Sequence, residues 1–398
     1  MKLKFLISFL ALVITAFMAD AGSKPVVYSL NMQRLQKSKS AILNKEEDVM
    51  PAYKKLLKDA DKAMQFEPVS VMAKINIPPS GDKHDYMSLA PYFWPDSSKA
   101  DGLPYIRKDG QTNPEVKVYK DKEYMPALCD KIFTLSLAYY FSGNGGYAQH
   151  AATLIKVWFI NPATKMNPNL NYAQAIKGVN EGRGAGLIDA RHFIKVIDAI
   201  GLMQDSKYWT KKNQTEMKIW FASFLQWMQT SKNGKSELHA DNNHGVWYDA
   251  LRLAIALYTN NNSAAKDIIN NAKNRLDMQL DDAGSFPKEM ERTISLHYTC
   301  FVLQAFFNIA EMAGKLDVDF WNYTSPGGKS LKKAFDALSP YLLGNKNWEG
   351  QQIKDFDKTD AYPLLLDGAN KYHCNNCRNA VALSEDGKGK RSINWLLY

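Results

Sequence analysis

Apolar residues recur at three- and four-residue intervals through most of the chain, and this spacing predicts amphipathic helices. The predicted helices occupy residues 125–143, 147–160, 186–203, 214–231, 244–259, 263–280, 295–314 and 331–344. Short polar or glycine-containing turns join the members of each successive pair. Because such hairpins return at intervals of about 50 residues, the pattern predicts an all-α fold, an α/α toroid built as an incomplete barrel of helical hairpins. An open helical array is the alternative.

The segment 78–124 departs from this pattern. It is dense in Pro, Gly, aromatic and charged residues and has little helical periodicity. Loops of this length are usually functional or disordered, and the aromatic content argues against disorder. We therefore expect an ordered, lid-like loop over a cleft, with an irregular surface excursion as the alternative.

The first residues are typical of an export signal. Two lysines precede an apolar run at 5–18, and an Ala-Asp-Ala sequence follows at 19–21. This order predicts a signal peptide over residues 1–21 that is cleaved to leave a periplasmic or secreted protein. The apolar run is short for a membrane span, so we expect no membrane association. Residues 22–398 contain no linker rich in Gly, Ser or Pro, which predicts a single domain.

The chain is basic, with a formal net charge of +9. Loss of two lysines and one aspartate with the signal peptide lowers this to +8. A cationic exported protein indicates an anionic partner, such as an acidic glycan, a membrane surface or nucleic acid. The basic residues are scattered and form no known binding signature, so nucleic acid is not expected as a partner. The alternative interpretation of the positive net charge is that it serves only solubility.

Four cysteines are present. Cys129 and Cys300 lie in apolar helical patterns, where buried free thiols are the usual state. Cys374 and Cys377 form a single C-x-x-C, which is a weak zinc signal without a second pair. In an oxidising compartment a local disulfide or a structural turn is favoured over a metal site.

One candidate for catalysis directly precedes a predicted helix. Asp241 or Asn242 is a natural N-cap for that helix, with Asn243 and His244 following. His244 would then lie in the first turn, where the helix dipole disfavours the imidazolium form. A neutral imidazole accepts a proton, so the position suits a general base. The alternative is that the asparagines are turn residues and His244 is incidental.

Two further segments carry candidate chemistry. Arg292 and Tyr298 are close in sequence, and a Tyr hydroxyl serves as acid and base once a cation lowers its pKa. An aromatic residue in a helical stripe is otherwise a core residue. The segments 171–178 and 181–184 mix polar groups with Gly where a loop enters a helix, and taken alone each is no stronger than a turn.

Together these segments resemble the alginate lyase superfamily of helical toroid enzymes, and within it polysaccharide lyase families 38 and 5. The resemblance rests on YFWPD (92–96), Arg107 with DGQTNPE (109–115), NYAQAIKG (171–178) with GRGAGLID (182–189), NNHGVWYD (242–249) and ERTISLHYT (291–299).

The resemblance implies β-elimination at a uronic acid without a metal or other cofactor, by a protein that acts as a monomer. Asn243 and Arg292, with help from His244, would neutralise the uronate carboxylate. Tyr298 would take the C5 proton where it lies on the face of the leaving group and then protonate the glycosidic oxygen. For the epimer with the opposite C5 proton, His244 would be the base and Tyr298 the acid. The implied cleft-lining residues are Trp94, Arg107, Asn171, Gln174, Arg183 and Trp247.

The resemblance has one departure. In family 5 the Arg and Tyr are seven residues apart and share a helix face, whereas Arg292 and Tyr298 are six apart. On a continuous helix that spacing rotates them by about 120°. Either the helix begins after Arg292, or Arg292 does not have the family 5 role and Glu291, seven residues before Tyr298, shares its face instead.

The expected substrate is alginate, with glucuronan as an alternative. A glycoside hydrolase on an α/α barrel is a second possibility and would need two carboxyl groups flanking the bond. The candidate carboxyl groups are Asp241, Asp249, Glu289 and Glu291. A non-catalytic glycan-binding protein is a third.

Overall fold

The computed structural model describes residues 25–398, so the predicted signal peptide at 1–21 lies outside the described residues. The described part is mainly helical. Its α-helices are α1 (Met32–Leu43), α2 (Met50–Ala63), α3 (Asp121–Ser142), α4 (Gly145–Ile155), α5 (Phe193–Leu202), α6 (Lys211–Thr230), α7 (Lys232–Leu238), α8 (Asn243–Tyr258), α9 (Asn262–Gln279), α10 (Pro287–Met290), α11 (Ser295–Ala313), α12 (Leu331–Leu342), α13 (Tyr362–Lys371), α14 (Asn375–Ala382), α15 (Lys388–Arg391) and α16 (Asn394–Leu397). Its strands are β1 (Met87–Leu89), β2 (Phe93–Trp94), β3 (Ile106–Arg107) and β4 (Tyr172–Ala175).

The helices form a closed succession of contacts. Helices α3, α5, α8, α11 and α13 each pack on the next, and α4, α6, α9, α12 and α14 each pack against one of these five. The short helices α15 and α16 contact α2, and α16 also contacts α1, so the end of the chain meets its beginning. This arrangement is an α/α toroid, as the hairpin pattern predicts.

The predicted hairpins are present, with one local difference. The four pairs correspond to α3–α4, α5–α6, α8–α9 and α11–α12. The start of the segment predicted as a helix over 186–203 is a 3₁₀ helix, Gly184–His192, and α5 begins only at Phe193. Gly186 lies within this 3₁₀ helix where the chain closely approaches Ala173, since an added Cβ would lie 2.5 Å from that of Ala173.

Aromatic side chains fill the core between these helices. Phe159, Phe193 and Trp220 contact one another edge-to-face, with ring centroids 4.8–5.6 Å apart. Such pairs add to the free energy of burial. These contacts hold α5 and α6 against the π-helix Lys156–Ile160, which directly follows α4, and thereby fix one wall of the toroid.

The segment 78–124 is ordered by two small sheets rather than being free of secondary structure. Strand β1 pairs in parallel with β4, and β2 pairs antiparallel with β3. Its base is held by a buried ion pair in which Lys74 Nζ lies 3.0 Å from Asp121 Oδ2. The segment, called the lid below, is thus anchored at its base while Pro91, Tyr92 and Phe93 face the central cavity.

The cysteine predictions are confirmed. Cys374 and Cys377 form a disulfide, and Cys129 and Cys300 are buried free thiols. None of the helices within residues 25–398 has the length and apolar character needed to cross a membrane.

Candidate active site

One cavity of about 1120 Å³ lies inside the toroid beneath the lid. All four residues predicted to be catalytic line it, namely Asn243, His244, Arg292 and Tyr298. Four of the predicted cleft residues line it as well, namely Arg107, Gln174, Arg183 and Trp247. The tertiary structure therefore brings together residues from five separate parts of the chain.

His244 lies where the start of α8 meets the cavity. Asn242 is the N-cap, and its side chain accepts a hydrogen bond from the backbone N–H of His244. The His244 Nδ1 lies 2.7 Å from Oε1 of Glu237, whose side chain is buried. A carboxylate at this distance holds the proton on Nδ1, which makes Nε2 the nitrogen able to accept one. Sequence reasoning missed Glu237, although it precedes His244 by only seven residues.

Asn243 is fully buried against a second carboxyl group. Its backbone N–H donates to Glu289 Oε1 at 2.6 Å and its side-chain amide donates to Oε2 at 2.8 Å. Burial raises the pKa of Glu289, and the two hydrogen bonds from Asn243 oppose this only in part. Among the described residues, Asn243 Oδ1 has no hydrogen-bond partner.

Tyr298 contacts both the lid and Arg292. Its hydroxyl lies 2.9 Å from the hydroxyl of Tyr92, and the Arg292 guanidinium carbon lies 3.7 Å from the centre of its ring. Burial raises the pKa of Tyr298 well above its ordinary value, and Tyr92 adds to this. Arg292 lowers that pKa, as expected from the sequence for a neighbouring cation, but it does not outweigh burial. Tyr298 is a neutral phenol here.

The six-residue spacing between Arg292 and Tyr298 has a simple structural explanation. Helix α11 begins at Ser295, so Arg292 lies on the segment before it and is not bound to the helical period. This is the first of the two alternatives that the spacing leaves open. Glu291 is exposed and is not among the residues that line the cavity.

Asp109 of the lid holds Arg292 in place. Its Oδ1 accepts from Arg292 Nη2 at 2.7 Å, and its Oδ2 accepts from Nε at 3.1 Å. The backbone N–H and hydroxyl of Thr293 also donate to Asp109, as does Arg107. Burial alone would raise the pKa of Asp109, but the bonds from Arg292 and Thr293 hold it below its usual range.

The six predicted cleft residues fall into two groups, four that line the cavity and two that do not. Gln174 bridges two partners, donating to Asp189 Oδ1 at 3.1 Å and accepting from Arg183 Nη2 at 2.9 Å. Trp94 and Asn171 do not line the cavity: the Trp94 indole donates to the Gln111 carbonyl, and the Asn171 side chain accepts from Trp227. Their predicted contact with substrate stays a prediction.

The carboxyl groups considered for a hydrolase do not form a pair in the cavity. None of Asp241, Asp249, Glu289 and Glu291 is among its lining residues. Asp249 is buried in an ion pair with Arg275, with 2.6 Å between the Asp249 Oδ2 and Arg275 Nε atoms. Asp241 is largely exposed. A hydrolytic mechanism has no pair of carboxyl groups from this set to use.

The family model for alginate lyase matches residues 70–348, which include the lid and every residue of the site described above.

The chain belongs to the alginate lyase family.

An alginate lyase from Bacteroides ovatus, solved as a crystal structure, is 41% identical, with a TM-score of 0.88 over 94% of this chain and 98% of that one. Alginate lyase A1-III from Sphingomonas species A1 shares the fold at 15% identity, with a TM-score of 0.57 over 95% of this chain and 97% of that one. A complex of an A1-III variant with a tetrasaccharide matches with a TM-score of 0.59 and the same identity and coverage. No curated protein shows significant similarity.

Membership confirms that this alginate lyase family protein is a polysaccharide lyase with the helical toroid fold. His244 and Tyr298, the two groups that the resemblance assigns to proton transfer, both line this cavity. Residues 25–69 and 349–398, outside the matched region, contain the helices that close the toroid.

Proposed function

We propose that this lyase cleaves alginate by β-elimination, with His244 and Tyr298 as the groups that move protons. The observation that carries the proposal is that both side chains line one cavity, with His244 oriented by Glu237 and Tyr298 held as a neutral phenol. Cleavage removes the C5 proton of a uronate, expels the C4 glycosidic oxygen and leaves a C4–C5 double bond.

For guluronate, whose C5 proton lies on the face opposite the leaving group, two residues act. His244 Nε2 takes the C5 proton, and the Tyr298 phenol donates its proton to the glycosidic oxygen. The raised pKa of Tyr298 suits this role because the phenol is fully protonated at neutral pH. Proton exchange with water then restores both side chains.

For mannuronate, whose C5 proton lies on the leaving-group face, Tyr298 acts alone. The phenol first gives its proton to water. The phenolate then takes the C5 proton and donates it to the glycosidic oxygen, which regenerates the phenolate. Arg292, whose guanidinium lies against the Tyr298 ring, is the group placed to stabilise that phenolate.

The uronate carboxylate must be neutralised so that the C5 proton becomes acidic. Asn243 and Arg292 are the proposed groups, and each is held by its own carboxyl group, Glu289 and Asp109. Nε and Nη2 of Arg292 donate hydrogen bonds to Asp109, and Nη1 is not part of this ion pair. Preorganised donors of this kind do not need to reorganise when charge develops on the substrate.

We further propose a periplasmic or secreted location and a monomer that acts without a metal ion. The predicted signal peptide and the positive net charge support export and an anionic polysaccharide substrate. Glucuronan is the second candidate substrate, because it presents the same carboxylate next to the same C5 proton.

The test is to incubate the protein, with chelator present, with alginate, polymannuronate, polyguluronate and glucuronan. The near-ultraviolet absorbance of the new double bond reports elimination. We expect a rise on one or more polymers that Tyr298→Phe abolishes. A flat trace on all four with folded protein would overturn the proposal, whereas a rise on glucuronan alone would change the substrate.

A further inference from the structure

The cavity extends beyond Tyr298 to an arginine that the chemistry above does not use. Arg191, on the 3₁₀ helix Gly184–His192, lines the same cavity. Its guanidinium carbon lies 5.4 Å from the centre of the Phe301 ring, and Phe301 in turn contacts Tyr298. Arg191 is therefore one aromatic ring away from the site of proton transfer.

Arg191 has no carboxylate partner of its own among the described residues. Its one side-chain hydrogen bond goes from Nη1 to the Ile188 carbonyl at 3.0 Å. The two carboxylates nearby are paired with lysines, Asp189 with Lys122 and Asp130 with Lys195. Those ion pairs leave the positive charge of Arg191 unbalanced.

His192, the next residue in the chain, does not alter this balance. Burial, with the neighbouring cations Arg191, Lys195 and Lys122, lowers the pKa of His192 well below its ordinary value, so its ring is neutral. Burial also lowers the pKa of Arg191, and the attraction of Asp189 and Asp130 opposes this. An arginine that loses water without gaining a carboxylate favours an anionic ligand.

Aromatic rings next to Arg191 form a surface suited to a sugar ring. Trp247 packs on Phe301 with ring centroids 4.9 Å apart, and His297 stacks on Phe301 with ring centroids 6.0 Å apart. All three residues line the cavity, and Phe301 is the ring that contacts Arg191. Apolar surface beside a few charged groups is the usual composition of a ligand subsite.

We propose that Arg191 binds the carboxylate of a uronate adjacent to the one that is cleaved, which makes this end of the cavity an anionic subsite. The proposal rests on the function proposed above, because it takes a polyuronate as the ligand. Guanidinium binds carboxylate through paired hydrogen bonds, and the donors of Arg191 not used by Ile188 are available for them.

The test compares Arg191→Gln and Arg191→Lys with the parent protein on polymannuronate and polyguluronate. A charge-assisted contact of this kind predicts a rise in KM of about tenfold for Arg191→Gln with kcat within about twofold. Arg191→Lys should bind more tightly than Arg191→Gln, because lysine keeps the positive charge although it lacks the paired N–H donors of the guanidinium. Arg378→Gln is the matched control, because Arg378 stacks on Trp395 at 4.1 Å outside the cavity.

A second measurement separates binding from folding. In a Tyr298→Phe background, calorimetry with tetramannuronate and with its carboxyl-reduced counterpart reports affinity without turnover. We expect Arg191→Gln to weaken only the uronate, and equal effects on both ligands would overturn the subsite. An unchanged KM in a protein that still cleaves polymer would also overturn it. Failure of the parent to cleave any polyuronate would instead overturn the proposed function.

Discussion

Asp109 and Arg292 are 183 residues apart in sequence and form a two-point ion pair, with Asp109 Oδ1 accepting from Nη2 at 2.7 Å and Oδ2 from Nε at 3.1 Å. The pair joins the lid to the segment before α11. Because the same guanidinium lies against the Tyr298 ring, the positions of the lid, Arg292 and Tyr298 are set together.

Asp109→Asn should therefore lower activity without unfolding the protein. The amide keeps the shape of the side chain but loses the charge that holds Arg292, so we expect kcat/KM to fall by about 10- to 100-fold through misplacement. Initial rates on polymannuronate measure the effect. Asp101→Asn, an exposed position on the same lid, is the control and should retain full activity. Equal rates for both variants would contradict a role for the ion pair.

Glu237→Gln should separate the two elimination modes. The glutamine no longer fixes the proton on Nδ1 of His244, so the nitrogen that faces substrate is no longer held as an acceptor. We expect the rate on polyguluronate to fall on the order of 100-fold, and the rate on polymannuronate, for which Tyr298 is the base, to fall far less. Steady-state rates on the two polymers give the ratio.

The matched control for that experiment is Glu291→Gln, because Glu291 is exposed and lies outside the cavity lining. It should leave both rates unchanged. An equal loss on the two polymers for Glu237→Gln would mean that Glu237 supports the structure of the site rather than the tautomer of His244.

The cleavage rates of Tyr298→Phe and Tyr92→Phe should differ sharply. Loss of the Tyr298 hydroxyl removes the acid in both elimination modes, which costs roughly 10²–10⁴-fold in rate. Loss of the Tyr92 hydroxyl removes only the 2.9 Å bond to Tyr298 and should cost about tenfold. Assay of both variants on alginate tests this, and an inactive Tyr92→Phe beside an active Tyr298→Phe would reverse the assignment.

Stability should depend on pH through Asp367, far from the catalytic groups. Burial, and secondarily Glu311, raises the pKa of Asp367 to about 8, which Lys371 and Arg34 oppose. The folded protein thus holds a proton that the unfolded chain releases near pH 4. Its contribution to stability is full below about pH 4 and is lost as pH rises to about 8.

Asp367→Asn should flatten that dependence. The free energy of unfolding, measured with urea at several values between pH 5 and 9, should decline less with pH in the variant than in the parent. Asp336→Asn, an exposed position paired with Lys332, is the control and should follow the parent. Parallel curves for Asp367→Asn and the parent would show that Asp367 is ionised in the folded protein.

Much of the helical architecture follows from local sequence. The three- and four-residue spacing of apolar side chains locates the eight helical segments of the four hairpins because that spacing places them on one face of a helix. The 3₁₀ start at Gly184–His192 and the helices α1, α2, α7, α10 and α13 to α16 were not found from the pattern. The close approach of Gly186 to Ala173 in the 3₁₀ helix is a tertiary contact that the pattern does not contain. Several of the other helices are short, but α2 spans 14 residues and buries Ala52, Leu56, Ala60 and Ala63 at helical spacing, so that helix was missed rather than hidden.

The candidate catalytic residues were also accessible from sequence, because Asn243, His244, Arg292 and Tyr298 stand in motifs with a recognisable order. Their partners were not. These partners are acidic residues, which usually lie on the surface. Only the folded structure places Glu237 against His244, Asp109 against Arg292 and Glu289 against Asn243. The sign of the pKa shift of Tyr298 likewise depends on burial, which no spacing reveals. The sequence by itself determined which side chains are available and which helices carry them; the tertiary structure decided their partners and charge states, because burial and distance are properties of the folded chain.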